Sequence, residues 1–443
     1  MKKWNEERMI KTIKNFLKSF YLKLIVFFLM FTVIGTGKVY ADEVYPCEAI
    51  TIDQSNCGEF LNVTINKLIE DGVKDIFIKA GNYKLNNMIN IDKPNVNLIG
   101  EDKNCTKLIQ TNPNSDSIGV HKVSNVIVEN LTIDNSANGN SAFSEGNSNN
   151  VMLENCILYG QDTNNFTVYF AGKDYPTSIS ENPVKGLENN DLDNGNQMIN
   201  NTIYSKFTGD GVSFSCQSNG SVINNKVYGT RIAMYICSNC AALNNTIENS
   251  SSNGINISIP SVNDVISGNT IENSQTSAIA VSAEKEYPVP QSYYGNNITI
   301  SNNNIKNSNY MGIEVKQLAK SYISNNNIDT TLNNGIYLLL TDGLTVDRNN
   351  IINSGNSKNK KNLWGWDENL NSGLFMDYSV KNSVVANNII RNKEFSCPFG
   401  IKEQKDNLNT QNSVINNYIL GKFTYPILLV DNTNAEVNNH IEP

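Results

Sequence analysis

The chain has 443 residues, with 35 Lys and Arg against 43 Asp and Glu, giving a net charge of −8 and an isoelectric point near 5.1. That balance leaves no basic footprint, so nucleic acid is excluded as a partner class. The two histidines, His121 and His440, stand in unrelated contexts, and neither lies near a nucleophile and an acid in a triad pattern.

Residues 1–41 read as an address. Lys2, Lys3, Arg8, Lys11, Lys14, Lys18 and Lys23 precede an apolar run over 24–34, and Val39-Tyr40-Ala41 offers a small-residue cleavage site before Asp42. The run is shorter than a membrane span, which predicts a secretory signal peptide and a secreted mature chain with no membrane attachment. Residues 42–110 form an entrance. Apolar residues at helical spacing over 60–69 predict a short amphipathic helix, followed by strands over 75–79 and 95–100. A stack of strands exposes core at its open end, and this helix is the expected cap.

Residues 111–443 repeat one short phrase. Asn200-Asn201-Thr202-Ile203 returns as Asn224-Asn225-Lys226-Val227, Asn244-Asn245-Thr246-Ile247 and Gly268-Asn269-Thr270-Ile271. The echo continues at Ile305, Ile328, Ile351, Ile389, Ile419 and Ile441, each with Asn two residues before it. A recurring spacing of about 22 residues, with insertions, marks a solenoid. A second unit follows most anchors: Asp210-Gly211-Val212-Ser213-Phe214, Asn253-Gly254-Ile255-Asn256-Ile257, Met311-Gly312-Ile313-Glu314-Val315 and Asn334-Gly335-Ile336-Tyr337-Leu338. A turn glycine followed by period-two alternation is a strand with one buried face. The expected fold is all-β, a single-stranded right-handed parallel β-helix with an N-terminal capping helix. Stacked Asn side chains, one per turn, form ladders along its axis.

Eight cysteines in an exported chain permit disulfides, and Cys47 and Cys57 could close a loop near the mature N-terminus. Cys156, Cys216 and Cys237 fall within strands and pack as small hydrophobes. Cys237-Ser238-Asn239-Cys240 has CxxC spacing without a second pair or a His, so no metal site is assigned.

The helix over 60–69, Ile76-Phe77-Ile78-Lys79-Ala80-Gly81-Asn82-Tyr83-Lys84-Leu85, Asn95-Val96-Asn97-Leu98-Ile99-Gly100 and the repeated Asn-Asn and Gly-Ile units together resemble the pectate-lyase-like superfamily of parallel β-helices. The resemblance covers nearly all of the mature chain and implies the fold. Functions within that superfamily range over polysaccharide lyases, glycosidases, adhesins and tailspikes. Thr208-Gly209-Asp210-Gly211-Val212 is similar to the Gly-Asp-Asp element of polygalacturonases. The companion motifs of that family are absent, as are the Asp-Pro-His of alginate epimerases and the clustered Asp of calcium-dependent lyases.

The site is therefore read from the residues. Aligning strands on the turn glycine places Ile255/Ile257, Ile279/Val281, Ile313/Val315, Ile336/Leu338 and Leu374/Met376 inward. Two outward columns result. One runs Ser213, Ala233, Asn256, Ala280, Glu314, Tyr337, Phe375, Lys402; the other runs Ser215, Tyr235, Ser258, Ser282, Lys316, Leu339, Asp377, Gln404. Small residues fill the early turns, and charged and aromatic residues crowd the later ones. Long loops over 284–297 and 354–371 flank the same turns and carry Tyr287, Tyr293, Tyr294, Trp364 and Trp366. Aromatic rings on loops of a rigid scaffold suit sugar C–H faces, so Tyr337, Phe375, Trp364, Trp366, Tyr293 and Tyr294 are the substrate-binding candidates.

Glu314, Asp377, Lys316 and Lys402 are the catalytic candidates. Glu314 and Lys316 lie roughly 7 Å apart on one strand, and Glu314 to Asp377 comes to about 9–11 Å at strand spacing. That is the upper end of the ~6.5–9.5 Å window of inverting glycosidases. The competing chemistry is β-elimination next to a uronate carboxylate, with Lys316, Lys402 or Arg231 as base or charge-stabilising cation. Calcium is the cofactor such an elimination would call for. Asp210 and Arg231 form a second candidate site. A secreted enzyme cleaving polysaccharide by hydrolysis or elimination is the leading expectation; a non-catalytic glycan-binding or cell-surface β-helix is the alternative.

Overall fold

A strand with an apolar side chain at every second position must bury one face, and a chain of such strands buries them all by coiling into a stack. The computed structural model describes residues 49–443 apart from 138–139, 162–165, 173–191, 207–208, 284–293, 356–366, 368–369 and 406–407, and without the side chains of 259, 283 and 394–396. The expected signal peptide and Cys47 lie outside the described residues. Cys57 is a free thiol, half-buried. Among the described residues no helix is long and apolar enough to cross a membrane.

Every described strand pairing is parallel, and each strand pairs with its counterparts one turn earlier and one turn later. One sheet of 15 strands runs from Ile50–Ile52 to Ala435–Val437. A second set of 25 strands comprises two columns that become continuous in the long strands Ile389–Glu403 and Tyr418–Leu428. Short sheets of 2 and 4 strands fill one corner. The chain is thus a parallel β-helix with one helix, Leu61–Glu70. That helix sends Leu61, Ile65 and Ile69 into the core, and Asn62 and Asn66 accept the backbone N–H groups of Asn86 and Asn90 on the first turns.

The core is a column of inward side chains. The pairs read inward from the sequence, such as Ile313/Val315 and Ile336/Leu338, are fully buried. Beside them runs the amide ladder Asn201, Asn225, Asn245, Asn269, Asn303, Asn326, Asn349, Asn388, Asn417 and Asn439. Each Nδ2 donates to the next Oδ1, for example Asn245 to Asn269 at 3.0 Å, and each Oδ1 also accepts a backbone N–H from the turn before. One anchor is corrected by a residue. In Asn387-Asn388-Ile389-Ile390 the ladder uses Asn388, and Ile390 rather than Ile389 is buried, because Ile390 pairs with Ile351.

The turn glycines owe their identity to close approach. A Cβ on Gly312 would lie 2.5 Å from Ile328 Cγ2 and 2.6 Å from the Gly335 carbonyl oxygen. The left-handed positions are filled mostly by Asn, whose short side chain tolerates that conformation. A parallel row of positions holds Cys240 and Asp264. Asp264 takes an Asn-like place, accepting Cys240 N–H at 2.8 Å; complete burial pushes its carboxyl up to about 8. Asp264 Oδ2 has no partner. A neutral acid there carries its own donor, as an amide does.

Candidate functional site

The strands Ile279–Ala283, Ile313–Lys316, Ile336–Leu339, Ser372–Met376 and Ile389–Glu403 carry the candidate residues. Their register places Ala280 beside Glu314, Glu314 beside Tyr337, Tyr337 beside Phe375 and Phe375 beside Lys402. The same column extends back through Asn256 and Ala233 to Ser213. The outward columns read from the alternation are therefore the columns of the structure.

Their environment differs from expectation. The outward face is buried rather than open to water: Glu314 is 8% exposed, Tyr337 5%, Phe375 0% and Lys402 6%. Met311, Tyr337 and Phe375 form a second apolar cluster outside the main core, with Tyr310, Leu339 and Leu370 packed on it. Alternation marks which side of a strand a residue leaves by and is silent on what lies over it.

Glu314 Oε1 pairs with Lys316 Nζ at 2.5 Å, and its Oε2 accepts the Ser277 hydroxyl at 2.6 Å. Asp377, just beyond the Ser372–Met376 strand, accepts the Tyr337 hydroxyl at 2.6 Å. The Lys402 ammonium lies 4.7 Å from the Phe375 ring centre and 4.8 Å from that of Phe399, a cation held between aromatic faces. Burial lowers the Lys402 pKa, and Asp377 and Asp367 oppose that. Burial raises the Tyr310 phenol to about 12, with Glu314 and Asp377 adding to it. Tyr337 is raised further by burial, Asp377 and Glu314. Both phenols thus stay protonated within the field of both carboxylates.

Phe375 does not offer the sugar platform expected of it. It is fully buried, Lys402 lies over its ring, and Tyr337 meets it edge-on at 5.8 Å. Tyr294 is half-buried, and its phenol is raised by burial and by Asp342, which places it beside the corner sheet. Trp364, Trp366, Tyr287 and Tyr293 lie outside the described residues.

Asp210 and Arg231 form their own cluster on earlier turns. Arg231 Nε is ion-paired with Asp210, Nη1 donates to Ser252 and Asn253 at 3.1 Å each, and Nη2 donates to Tyr235 at 3.3 Å. Tyr235 completes the ring by donating to Asp210 at 2.5 Å. Every guanidinium nitrogen is engaged, which suits a brace across turns. Among the described residues no group of three or more His, Cys, Asp or Glu is placed to hold a metal ion.

Tyr310, Ser277 and Phe399 join the site without having been singled out in the sequence. Tyr310 and Ser277 sit in the turn just before a strand, where the period-two pattern has not begun. A further buried acid pair lies at the other end of the chain. Glu145 takes an inward position, paired in register with Val120 and Phe170. It converges with Asp193 on one backbone donor: Ser148 N–H donates to Glu145 at 2.7 Å and to Asp193 at 3.1 Å. Burial and Asp193 hold the Glu145 pKa well above the usual range, and burial brings Asp193 to about 6.

The chain matches the family described as the right-handed β-helix region over residues 291–441. No curated protein matches it in sequence. Among solved structures it is similar to the A-module of a mannuronan C-5 epimerase from Azotobacter vinelandii, at 14% identity and a TM-score of 0.55, covering 84% of this chain and 93% of that one. It is also similar to the catalytic unit of a thermostable α-1,3-glucanase from Streptomyces thermodiastaticus, at 14% identity and a TM-score of 0.58, covering 89% and 69%. A third similar structure is PfbA, a surface adhesin of Streptococcus pneumoniae, at 12% identity and a TM-score of 0.50, covering 89% and 92%. At these identities the likeness is one of fold.

Proposed function

We propose that the chain is a secreted enzyme that hydrolyses glycosidic bonds of a polysaccharide, with Glu314 and Asp377 as its two carboxylates. One observation carries this reading: two carboxylates two turns apart flank the Tyr337 side chain, Glu314 beside it in register and Asp377 accepting its hydroxyl at 2.6 Å. Two turns separate the backbones by about 9.6 Å, near the spacing that admits a water beside the sugar in an inverting hydrolase. Glu314, ion-paired with Lys316, is the base that activates water. Asp377 is the acid that protonates the leaving oxygen, and Tyr337 orients it. Because Tyr310, Met311 and Leu370 pack on the face, an incoming sugar displaces these side chains instead of settling on an open platform. The names of the epimerase and the glucanase tie those two proteins to polysaccharides, which supports a carbohydrate substrate here.

The test is a panel of soluble glucans, fructans and uronans given to the mature chain, with and without calcium, reading reducing ends together with ultraviolet absorbance of unsaturated uronates. Reducing ends without absorbance, abolished in Glu314→Gln and in Asp377→Asn, are expected. Absorbance with both variants active would replace hydrolysis by elimination and move Lys316, Lys402 and Arg231 to the centre.

A second reading, a non-catalytic glycan-binding β-helix, draws on the internal pairing of Glu314 with Lys316 and of Asp210 with Arg231. Binding without product on the same panel would favour it.

A further inference from the structure

The turn that leads into each strand of the site is built from two residues before its glycine or, at Ala278, its alanine. In successive turns these are Ser252-Asn253, Thr276-Ser277, Tyr310-Met311, Asn333-Asn334 and Asn371-Ser372. Three members of this series are already part of the site, since Ser277 donates to Glu314 while Tyr310 and Met311 pack with Tyr337 and Phe375. Asn333 follows Tyr310 directly in the stack, its N–H donating to the Tyr310 carbonyl at 2.9 Å.

Asn333 and Asn334 are both fully buried. Neither polar atom of the Asn333 amide has a hydrogen-bond partner, and Asn334 Nδ2 has none either. Asn334 Oδ1 is occupied by Ser372, through its N–H at 2.8 Å and its hydroxyl at 2.9 Å. Along the ladder the buried amides are saturated, whereas Asn333 shares with Gln317, among the described residues, an amide with neither polar atom paired, and of the two only Asn333 stacks directly on Tyr310 of the site. An unpaired buried amide destabilises the folded state, and such groups persist where they are needed for something else.

We infer that Asn333 and Asn334 are hydroxyl-binding residues of this site and that they select a neutral polysaccharide; the inference rests on the glycosidase reading above. An amide offers one acceptor and two donors side by side. A vicinal diol of a sugar ring, each hydroxyl both donor and acceptor, meets that set in full. Asn333 takes the pair, with Oδ1 accepting from one hydroxyl and Nδ2 donating to the next, while the free Asn334 Nδ2 donates to a neighbouring oxygen. The charges around them favour an uncharged ring. With Asp377 holding its proton as the acid, Glu314 and Asp367 contribute two negative charges, Lys316 and Lys402 two positive, and the sum is zero. A polymer with a carboxylate on every ring would find no excess cation to neutralise it. A site that reads hydroxyls through buried amides rejects rings lacking them, because the amides are then left unpaired.

The test uses Asn333→Leu and Asn334→Leu, near-isosteres that remove the amides. Leu in place of the Asn333 amide leaves thermal stability unchanged or raised, since no side-chain hydrogen bond is lost, whereas Asn334→Leu also removes the acceptor of the Ser372 N–H and hydroxyl and lowers it. Binding is measured by affinity electrophoresis in gels containing a soluble glucan, a fructan or polygalacturonate, on the catalytically silenced Glu314→Gln background. Retention by a neutral polymer, weakened at least tenfold by Asn333→Leu at unchanged or raised melting temperature, is the expected result. Retention unaffected by either Leu variant would overturn this inference and leave the glycosidase reading standing. So would a lowered melting temperature for Asn333→Leu, which would make the amide structural, or retention by polygalacturonate alone. No retention by any polymer, with no product from the wild type on the same panel, would overturn both.

Discussion

Tyr337 and Asp377 are joined across one turn of the β-helix by a hydrogen bond of 2.6 Å, and the phenol that makes it is buried against Phe375. A carboxylate beside an aromatic cluster needs this donor. Tyr337→Phe keeps the ring packing and removes the donor alone. The expected outcome is a loss of roughly 1–3 kcal/mol of stability. Loss of a hydrogen bond to the charged form also raises the Asp377 pKa and so moves the alkaline limb of the pH–rate profile, which the acid sets, upward. Chemical denaturation and the pH profile on the best panel substrate check the two effects, and an unchanged alkaline limb would remove Asp377 from the proton-transfer step.

Asp264 predicts a pH dependence of stability with a definite sign. Its folded pKa, about 8, lies above the unfolded value near 3.8, so the folded state holds the proton more tightly. Its contribution is complete below the unfolded value and is lost as pH rises toward 8. Asp264→Asn supplies the donor permanently. Between pH 5 and 7 the wild type should lose about 1.4 kcal/mol per pH unit relative to this variant. Parallel denaturation midpoints across that range would show that Asp264 is ionised in the fold.

Glu145 and Asp193 act in the same direction through a different cause. Two carboxyls converging on Ser148 N–H cannot both ionise without repulsion, so one proton is held between them. Both folded pKa values are raised, and the stability they lend is fully present in acid and fades as pH passes about 6. Glu145→Gln gives Asp193 a permanent amide donor and should flatten the profile above that pH. Melting curves at pH 5 and pH 8 for the two proteins test this; an equal drop in both would place the pH sensitivity elsewhere.

The amide ladder should be costly to interrupt. Asn245 donates to Asn269 and to the Val222 carbonyl, and it accepts both the backbone N–H and the side-chain amide of Asn225. Asn245→Ala leaves all of these without a partner in a dry interior, at roughly 2–5 kcal/mol. Urea denaturation would register the loss, and a change below 0.5 kcal/mol would show that neighbouring groups or water take over the bonds.

Much of the fold was legible because two simple periods govern it. The amide anchors recur once per turn, and apolar residues alternate along each strand, so inward and outward columns could be aligned on Gly254, Gly312 and Gly335. Ile389 was misread because Asn387-Asn388-Ile389-Ile390 satisfies the pattern in two registers, and only pairing with Ile351 separates them. The site was legible as a set of columns and not as an environment. Lys402 stands next to Phe375 in the column that alternation gave, but the packing of Tyr310 and Leu370 over that cluster comes from turns, which alternation does not describe. Glu145 was passed over because an acid at an inward position reads as a break in the pattern, until Asp193 arrives from 48 residues later in the chain to share its proton.

The last rung, Ala435–Val437 with His440–Glu442, is exposed along its length, with Val437 and Ile441 43% and 46% accessible. Once the rung after it has gone, each rung is held only by the one before it. Tension applied at Pro443 would therefore meet no common core that fails at once, and the molecule would pay out like a wound thread from its loose end. A rung of 22–24 residues releases roughly 75–85 Å of extended chain. A force–extension record should show a run of similar steps, punctuated by longer ones for the turns of 34 residues between Asn269 and Asn303 and 39 between Asn349 and Asn388.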